Sequence, residues 1–354
     1  MGSGESKAAG SRDSALIVTD YRRAPPQEAP CGSVGLENYG NTCYINSVIQ
    51  LLYSCEALRS YLTSPETPLN GLPPEDSVLF SLGDLFASMQ RSHKRKKGYI
   101  GPQNFIQKVK RANAMFRNNQ QQDAHEFALF VVSQLVETER SLLKVKPGVA
   151  SRIEAMFGGK FAVETCCLDC ESKVVRQESF IDWSVDIEQS SSLRCCIENF
   201  SRPEFLVGSE KFHCEACCAP APGRHCISVE AAPGEAIIIH LKRFKFSEDL
   251  QQFKKLAWHV ALPSEILIHT AVTDRDSAHF ALRSFVVHQG VGPHLGHYFT
   301  VAKVGTQWKR YDDDLVVDIS ERDIWQYFGV PCAADGAVTA TAYILLYERV
   351  VKHL

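Results

Sequence analysis

Two Cys-x-x-Cys pairs, Cys167-Leu168-Asp169-Cys170 and Cys214-Glu215-Ala216-Cys217, stand 43 residues apart, with positions 171–213 between them. Four thiolates in two such pairs fit tetrahedral zinc with every coordination position filled by protein, which is a structural rather than a catalytic arrangement. The long interval excludes a compact finger. Two hairpin tips have to be brought together, so the middle of the chain must fold around its own metal tie. Cys166 and Cys218 adjoin the pairs, and at this level they leave open which four thiols bind.

The chain has 13 cysteines and no charged-then-apolar start of the secretory kind. Metal and thiolate chemistry therefore come before disulfides, and the expected location is intracellular, in cytoplasm or nucleus. A net charge of −3 favours neither nucleic acid nor an anionic membrane as a partner. No apolar run approaches the roughly 20 residues of a membrane span. Residues 1–33 are rich in Gly, Ser, Ala, Pro and charge and read as a flexible tail. Gly2 with Ser6 fits the loose N-myristoylation pattern, for which chance in a Gly/Ser-rich start is the plainer account. The basic run Arg91–Lys97 reads as solvated surface between helices, with a nuclear-import or acidic-partner patch as the alternative.

From Val34 the pattern changes. Val48, Ile49, Leu51, Leu52, Cys55 and Leu58 recur at helical spacing, as do Val78, Leu82, Leu85, Phe86 and Met89. A third such run follows Asp123 through Ala124, Phe127, Ala128, Val131 and Leu135. Beyond residue 150 the segments Phe180–Ile187, Glu235–Phe246, Ala281–His288, Tyr298–Val304 and Ala342–Tyr347 are short, β-branched or aromatic, and bounded by Gly, Pro or Asp. Helices followed by strands predict an α+β fold.

Cys43 stands where a Gly- and Asn-rich loop meets the first helix. There the helix dipole and unpaired N–H groups favour a thiolate, and the loop offers oxyanion donors in backbone N–H groups and the Asn38 amide. A buried structural cysteine is the plainer reading of that position alone. The base for such a nucleophile is usually distant in sequence. His297, in Gly296-His297-Tyr298 at a strand start behind a Gly-rich stretch, has the best setting; His288 and His294 are near rivals, whereas His240 and His259 read as ordinary strand histidines. The acids of Tyr311-Asp312-Asp313-Asp314 lie one hairpin away, and Asp312 is the first choice to orient the imidazole. A plain acidic turn is the alternative.

Taken together, Gly35-Leu36-Glu37-Asn38-Tyr39-Gly40-Asn41-Thr42-Cys43-Tyr44-Ile45-Asn46-Ser47, Gln121-Gln122-Asp123-Ala124-His125-Glu126-Phe127, Gly296-His297-Tyr298 and Tyr311-Asp312-Asp313 resemble, in order and spacing, the motifs of ubiquitin-specific proteases. The resemblance spans about residues 34–350 and implies a papain-like cysteine protease with a helical thumb (34–150), zinc-tipped β fingers (about 163–230) and a palm sheet. It implies Cys43 as nucleophile, His297 as base, Asp312 as orienting acid and Asn38 as oxyanion donor. Asp123 and Tyr298 would bind the substrate tail, and Cys167, Cys170, Cys214 and Cys217 would hold structural zinc. Ubiquitin and ubiquitinated proteins would be the partners. The subgroup resembled most closely is the one activated by WD-repeat proteins, although Gln120-Gln121-Gln122, Cys195-Cys196 and the crowded knuckles depart from it. A non-catalytic ubiquitin-binding scaffold, or a protease for another ubiquitin-like modifier, is the alternative function.

Overall fold

The computed structural model describes residues 33–69, 77–94, 98–248, 251–270, 277–292, 295–330 and 339–350. The tail with Gly2, the side chains of 93–97 in the basic run, and His294 lie outside them.

The first helical pattern yields two helices rather than one. Cys43–Ser54 is buried at all 12 positions, and the chain then turns at Cys55 (φ −69°, ψ 108°) into Glu56–Thr63. A single turning residue in an apolar run is invisible to periodicity, because the apolar spacing simply resumes on the new axis. Val78–Lys94, Gln103–Ala112 and Ala124–Leu142 complete the helical front. Their shared core holds Tyr44, Phe116 and Phe127, with the Phe127 ring edge-on to Tyr44 at 5.3 Å and to Phe116 at 5.2 Å.

Behind the helices stands an eight-stranded sheet in the order Leu315–Ile319, Gln307–Asp312, Leu295–Val304, Ser277–Gly292, Thr339–Arg349, Ala236–Leu241, Asp182–Val185, with Glu265–His269 added on Ser277–Gly292. It is covered on both faces. Ile238, Val286 and Tyr298 enter the helical core, while their neighbours Ile237, Ile239, Phe285, Val287 and Phe299 line a second core on the far side. This double burial explains strand segments that are apolar almost throughout instead of alternating.

Arg243 ties the far side together. Its guanidinium is fully buried and donates to the carbonyls of Ala342, Leu256, Trp258 and Phe328. With carbonyl dipoles in place of a counter-ion, burial lowers its pKa to about 9.

The middle of the chain projects as a separate four-stranded antiparallel sheet, ordered Lys173–Phe180, Gly159–Cys167, Gly223–Ala231, Glu204–Leu206. Lys173–Phe180 is exposed at every position but the last, so neither face of it carried an apolar signature. The expected single strand Phe180–Ile187 is therefore divided between this sheet and Asp182–Val185 of the main one.

Candidate active site and metal centre

The helix that begins at Cys43 is entered through a loop in left-handed backbone, Gly40 at φ 81° and Asn41 at φ 52°. The Asn38 side chain organises this loop. Its Oδ1 accepts from Gly40 N at 2.9 Å, Thr42 N at 3.3 Å and Thr42 Oγ1 at 3.0 Å. Its Nδ2 donates to Asp313 Oδ2 at 2.7 Å, and Asn46 Nδ2, one turn into the helix, donates to Asp313 Oδ1 at 2.8 Å. Asp313, in left-handed backbone at φ 52°, thereby ties the loop and the helix to the strand turn at the far end of the chain.

His297 and Asp312 sit on adjacent antiparallel strands. Thr300 pairs with Tyr311, which brings Asp312 level with Phe299 and places His297 two residues along on the same face. His297 Nε2 and Asp312 Oδ1 are 2.5 Å apart, leaving Nδ1 as the ring nitrogen for the Cys43 sulfur. The hydrogen bond that His297 donates to Asp312, and then the interaction with Cys43, push the His297 pKa up to about 10 against the opposing effect of burial. Burial would raise Asp312, but the hydrogen bond and charge of His297, with those of Arg310, outweigh it and hold the carboxyl below its ordinary value. The thiol, imidazole and carboxylate chosen from sequence thus meet in one place.

The rival His288 does not reach this centre. It is fully buried, its ring is edge-on to Phe244 at 5.3 Å, and burial drives its pKa down to about 3. His240 is half-buried and stacks on His125 at 3.6 Å, with His125 Nε2 3.0 Å from Asp182 Oδ2.

Asp123 caps the helix Ala124–Leu142. Its Oδ1 accepts from His125 N at 2.7 Å and Glu126 N at 3.2 Å, and Oδ2 accepts from Tyr343 Oη at 2.7 Å. Tyr298 is wholly buried in the helical core, where burial and then the charge of Asp123 raise its phenol. Both side chains are buried. A cavity of about 670 Å³ is lined by Asn41, Met115, Asn118, Gln120, Gln121, Gln122 and Leu295, and its wall includes none of Cys43, His297, Asp123 and Tyr298. Gln121 Oε1 accepts from Gly296 N at 3.1 Å, which bridges helical front and sheet next to His297.

Two residues of this site were missed in the sequence reading. Asp313 stood inside a quoted motif as one of three acids, and nothing local distinguishes it from its neighbours. Asn46 did carry a signal, being an amide in an otherwise apolar helix, buried to 2% exposure. A buried amide N–H needs an acceptor, and Asp313, Leu36 O and Glu37 O all lie within reach of Asn46 Nδ2.

At the tip of the projecting sheet the sulfurs of Cys167, Cys170, Cys214 and Cys217 lie within 4.8 Å of one another. Cys167 and Cys217 are 3.9 Å apart, and Cys170 and Cys214 are 3.6 Å apart. Tetrahedral zinc at ~2.3 Å from each sulfur requires sulfur separations of about 3.8 Å, so the four thiols fit the ion. Cys166 and Cys218 stand aside, each directed at a backbone carbonyl, of Cys167 and Glu215 respectively. The four thiols of the two pairs are thus the ones brought together, and Cys166 and Cys218 are outside the cluster.

Among the described residues no helix is long and apolar enough to cross a membrane. Residues 34–347 match the family described as ubiquitin carboxyl-terminal hydrolase. The chain is 36% identical over 341 residues to "Ubiquitin carboxyl-terminal hydrolase 4" of Arabidopsis thaliana, covering 89% of this chain and 92% of the relative. It is 33% identical over 340 residues to "Ubiquitin carboxyl-terminal hydrolase 12" of Salmo salar, covering 89% of each. A match along nearly the whole chain, joined to relatives of the same name and nearly the same extent, places this protein in the ubiquitin carboxyl-terminal hydrolase family of cysteine-type deubiquitinases.

Proposed function

We propose that the protein hydrolyses isopeptide bonds at the C-terminus of ubiquitin, with Cys43 as nucleophile, His297 as base and Asp312 as orienting acid. The observation that carries this is the position of His297, 2.5 Å from Asp312 Oδ1 on one ring nitrogen and close enough to the Cys43 sulfur for the thiol to raise the imidazole. A raised imidazole beside a thiol at a helix start is placed to take the thiol proton, which gives a thiolate nucleophile and an imidazolium acid. The thiolate attacks the carbonyl of ubiquitin's last residue, forming a C–S bond. Asn38 Nδ2, which has a second hydrogen beyond the one given to Asp313, and the N–H groups at the head of the Cys43 helix hold the oxyanion. His297 passes its proton to the departing lysine amine, then takes one from water as water displaces the thioester.

In this reading residues 34–150 form the thumb, about 163–230 the fingers and the remainder the palm, with the substrate tail running between thumb and palm. Asp123 and Tyr298 bind that tail only if the segment around Gln121 opens, since both are buried. Zinc on Cys167, Cys170, Cys214 and Cys217 would fix the finger tip and take no part in the chemistry. Stimulation by WD-repeat proteins, and residence in cytoplasm or nucleus, rest on the resemblance. A finger surface carrying exposed Val174, Val175 and Phe205 suits such docking.

The test is reaction with ubiquitin carrying an electrophile in place of its C-terminal carboxylate, in wild type and Cys43→Ala. An adduct on Cys43, absent in the variant, is expected. Reaction only with a WD-repeat activator present would mean a partner-aligned centre. Silence in both conditions would reject the enzyme reading in favour of a scaffold or another modifier.

A further inference from the structure

We propose that Arg310 is a positioning residue of the catalytic centre, clamping the Asp312 carboxylate from the side away from His297 and holding it oriented for the imidazole. The inference rests on the reading of Cys43, His297 and Asp312 as a catalytic set.

Strand alternation puts Arg310 and Asp312 on the same face of Gln307–Asp312, next to His297 and Phe299 on the neighbouring strand. The two carboxylate oxygens are divided between two cations. Oδ1 meets His297 Nε2, and Oδ2 accepts from Arg310 Nη2. Arg310 is itself held in place, with its guanidinium carbon 4.2 Å from the centroid of the Phe299 ring. Phe299 is buried in the second core and cannot move aside. A surface arginine on a free stem would contribute little to orientation. This one is laid flat on a fixed ring and aimed at a carboxylate with 18% of its side chain exposed.

The charge balance gives the clamp a reason. Thiolate, imidazolium and carboxylate sum to −1 in a partly dehydrated cleft, and the guanidinium brings the set to zero. The titratable groups around Arg310 and Asp312 are His297 on the adjacent strand, with Cys43 beyond it on the first helix, and Tyr327 and Asp323 on the 3-10 turn Asp323–Phe328. With Arg310 removed, dehydration would act on Asp312 opposed by His297 alone, and the carboxylate would be free to turn about its bond. Its proton affinity rises, so the centre fails first in mild acid.

The experiment is the pH profile of kcat/KM for a ubiquitin C-terminal fluorogenic conjugate, in wild type, Arg310→Met and Arg310→Lys. Labelling of Cys43 by the ubiquitin electrophile and thermal unfolding are recorded for each. In Arg310→Met the acid limb is expected to move up by about one pH unit, which is up to a tenfold loss at pH values below the limb, with less than about twofold change near pH 8. Arg310→Lys restores the charge and returns most of that shift. KM should stay within about twofold, because the clamp lies behind the acid and does not touch substrate. An acid limb unmoved in Arg310→Met overturns the clamp, while a labelled wild-type Cys43 keeps the catalytic reading intact. Equal losses at every pH in both variants, tracking a fall in thermal stability, would also overturn it, as a purely structural role. Absence of labelling in wild type, with or without activator, would remove the catalytic reading and the clamp with it.

Discussion

Asn46, one turn into the helix headed by Cys43, donates from Nδ2 to Asp313 Oδ1 at 2.8 Å across 267 positions of sequence. The other oxygen of Asp313 takes the Asn38 amide, so a single carboxylate sets both the nucleophile helix and the loop in front of it. Asp313→Ala frees the two amides at once. A fall in kcat of roughly 10²-fold is expected, the scale of losing one oxyanion donor, with KM little changed. Steady-state hydrolysis of a ubiquitin C-terminal conjugate measures it. An unchanged kcat would mean the loop is held by Thr42 and Gly40 alone.

The titration of the centre has a definite sign. His297 is raised to about 10, so its contribution to stability is complete below the ordinary imidazole pKa and disappears as pH rises through about 10. Asp312 is lowered, so its contribution is present above the ordinary carboxylate pKa and is lost as pH falls below it. The pair therefore persists between those limits. Activity needs a protonated imidazole for the leaving amine, and the alkaline limb should report His297. In Asp312→Asn the largest cause of the elevation is gone, and that limb should move to lower pH. An alkaline limb that stays in place would detach Asp312 from His297.

The finger tip should carry one zinc per chain, measurable by elemental mass spectrometry. Cys214→Ser leaves three thiolates and a weaker hydroxyl ligand, and is expected to lose the metal and lower Tm by about 5 °C or more. Cys166→Ser and Cys218→Ser, outside the quartet, should keep full zinc. Loss of metal in either of those two would reassign the ligands.

Arg243 is expected to be among the least replaceable residues away from the cleft. Arg243→Met leaves the carbonyls of Ala342, Leu256, Trp258 and Phe328 without their donor, at a cost of about 3–5 kcal/mol. Arg243→Lys serves fewer of them and should recover only part of this. Urea unfolding gives the comparison, and a loss under about 1 kcal/mol would show that water replaces the guanidinium.

What the sequence by itself determined was local chemistry. Cys43 at a loop–helix junction, His297 at a strand start, an acid one hairpin away and four thiols in two pairs are properties of short segments. Each short segment restricts its own backbone and its own reactivity. The three long helical patterns and the α+β order were legible for the same reason, since amphipathic spacing records which face must leave water. What only the tertiary structure decided was the meeting of distant groups. No periodicity marks Lys173–Phe180 as a strand, because both its faces are wet. No local rule separates Asp312 from Asp313, because their roles differ only through the partners that folding delivers, His297 and Arg310 to one, Asn38 and Asn46 to the other. Cys166 and Cys218 are set apart from the zinc thiols by strand register and a left-handed turn, not by their spacing. Charges and hydrogen bonds act at a few ångströms, and which residues come within that distance is fixed by packing across the whole chain.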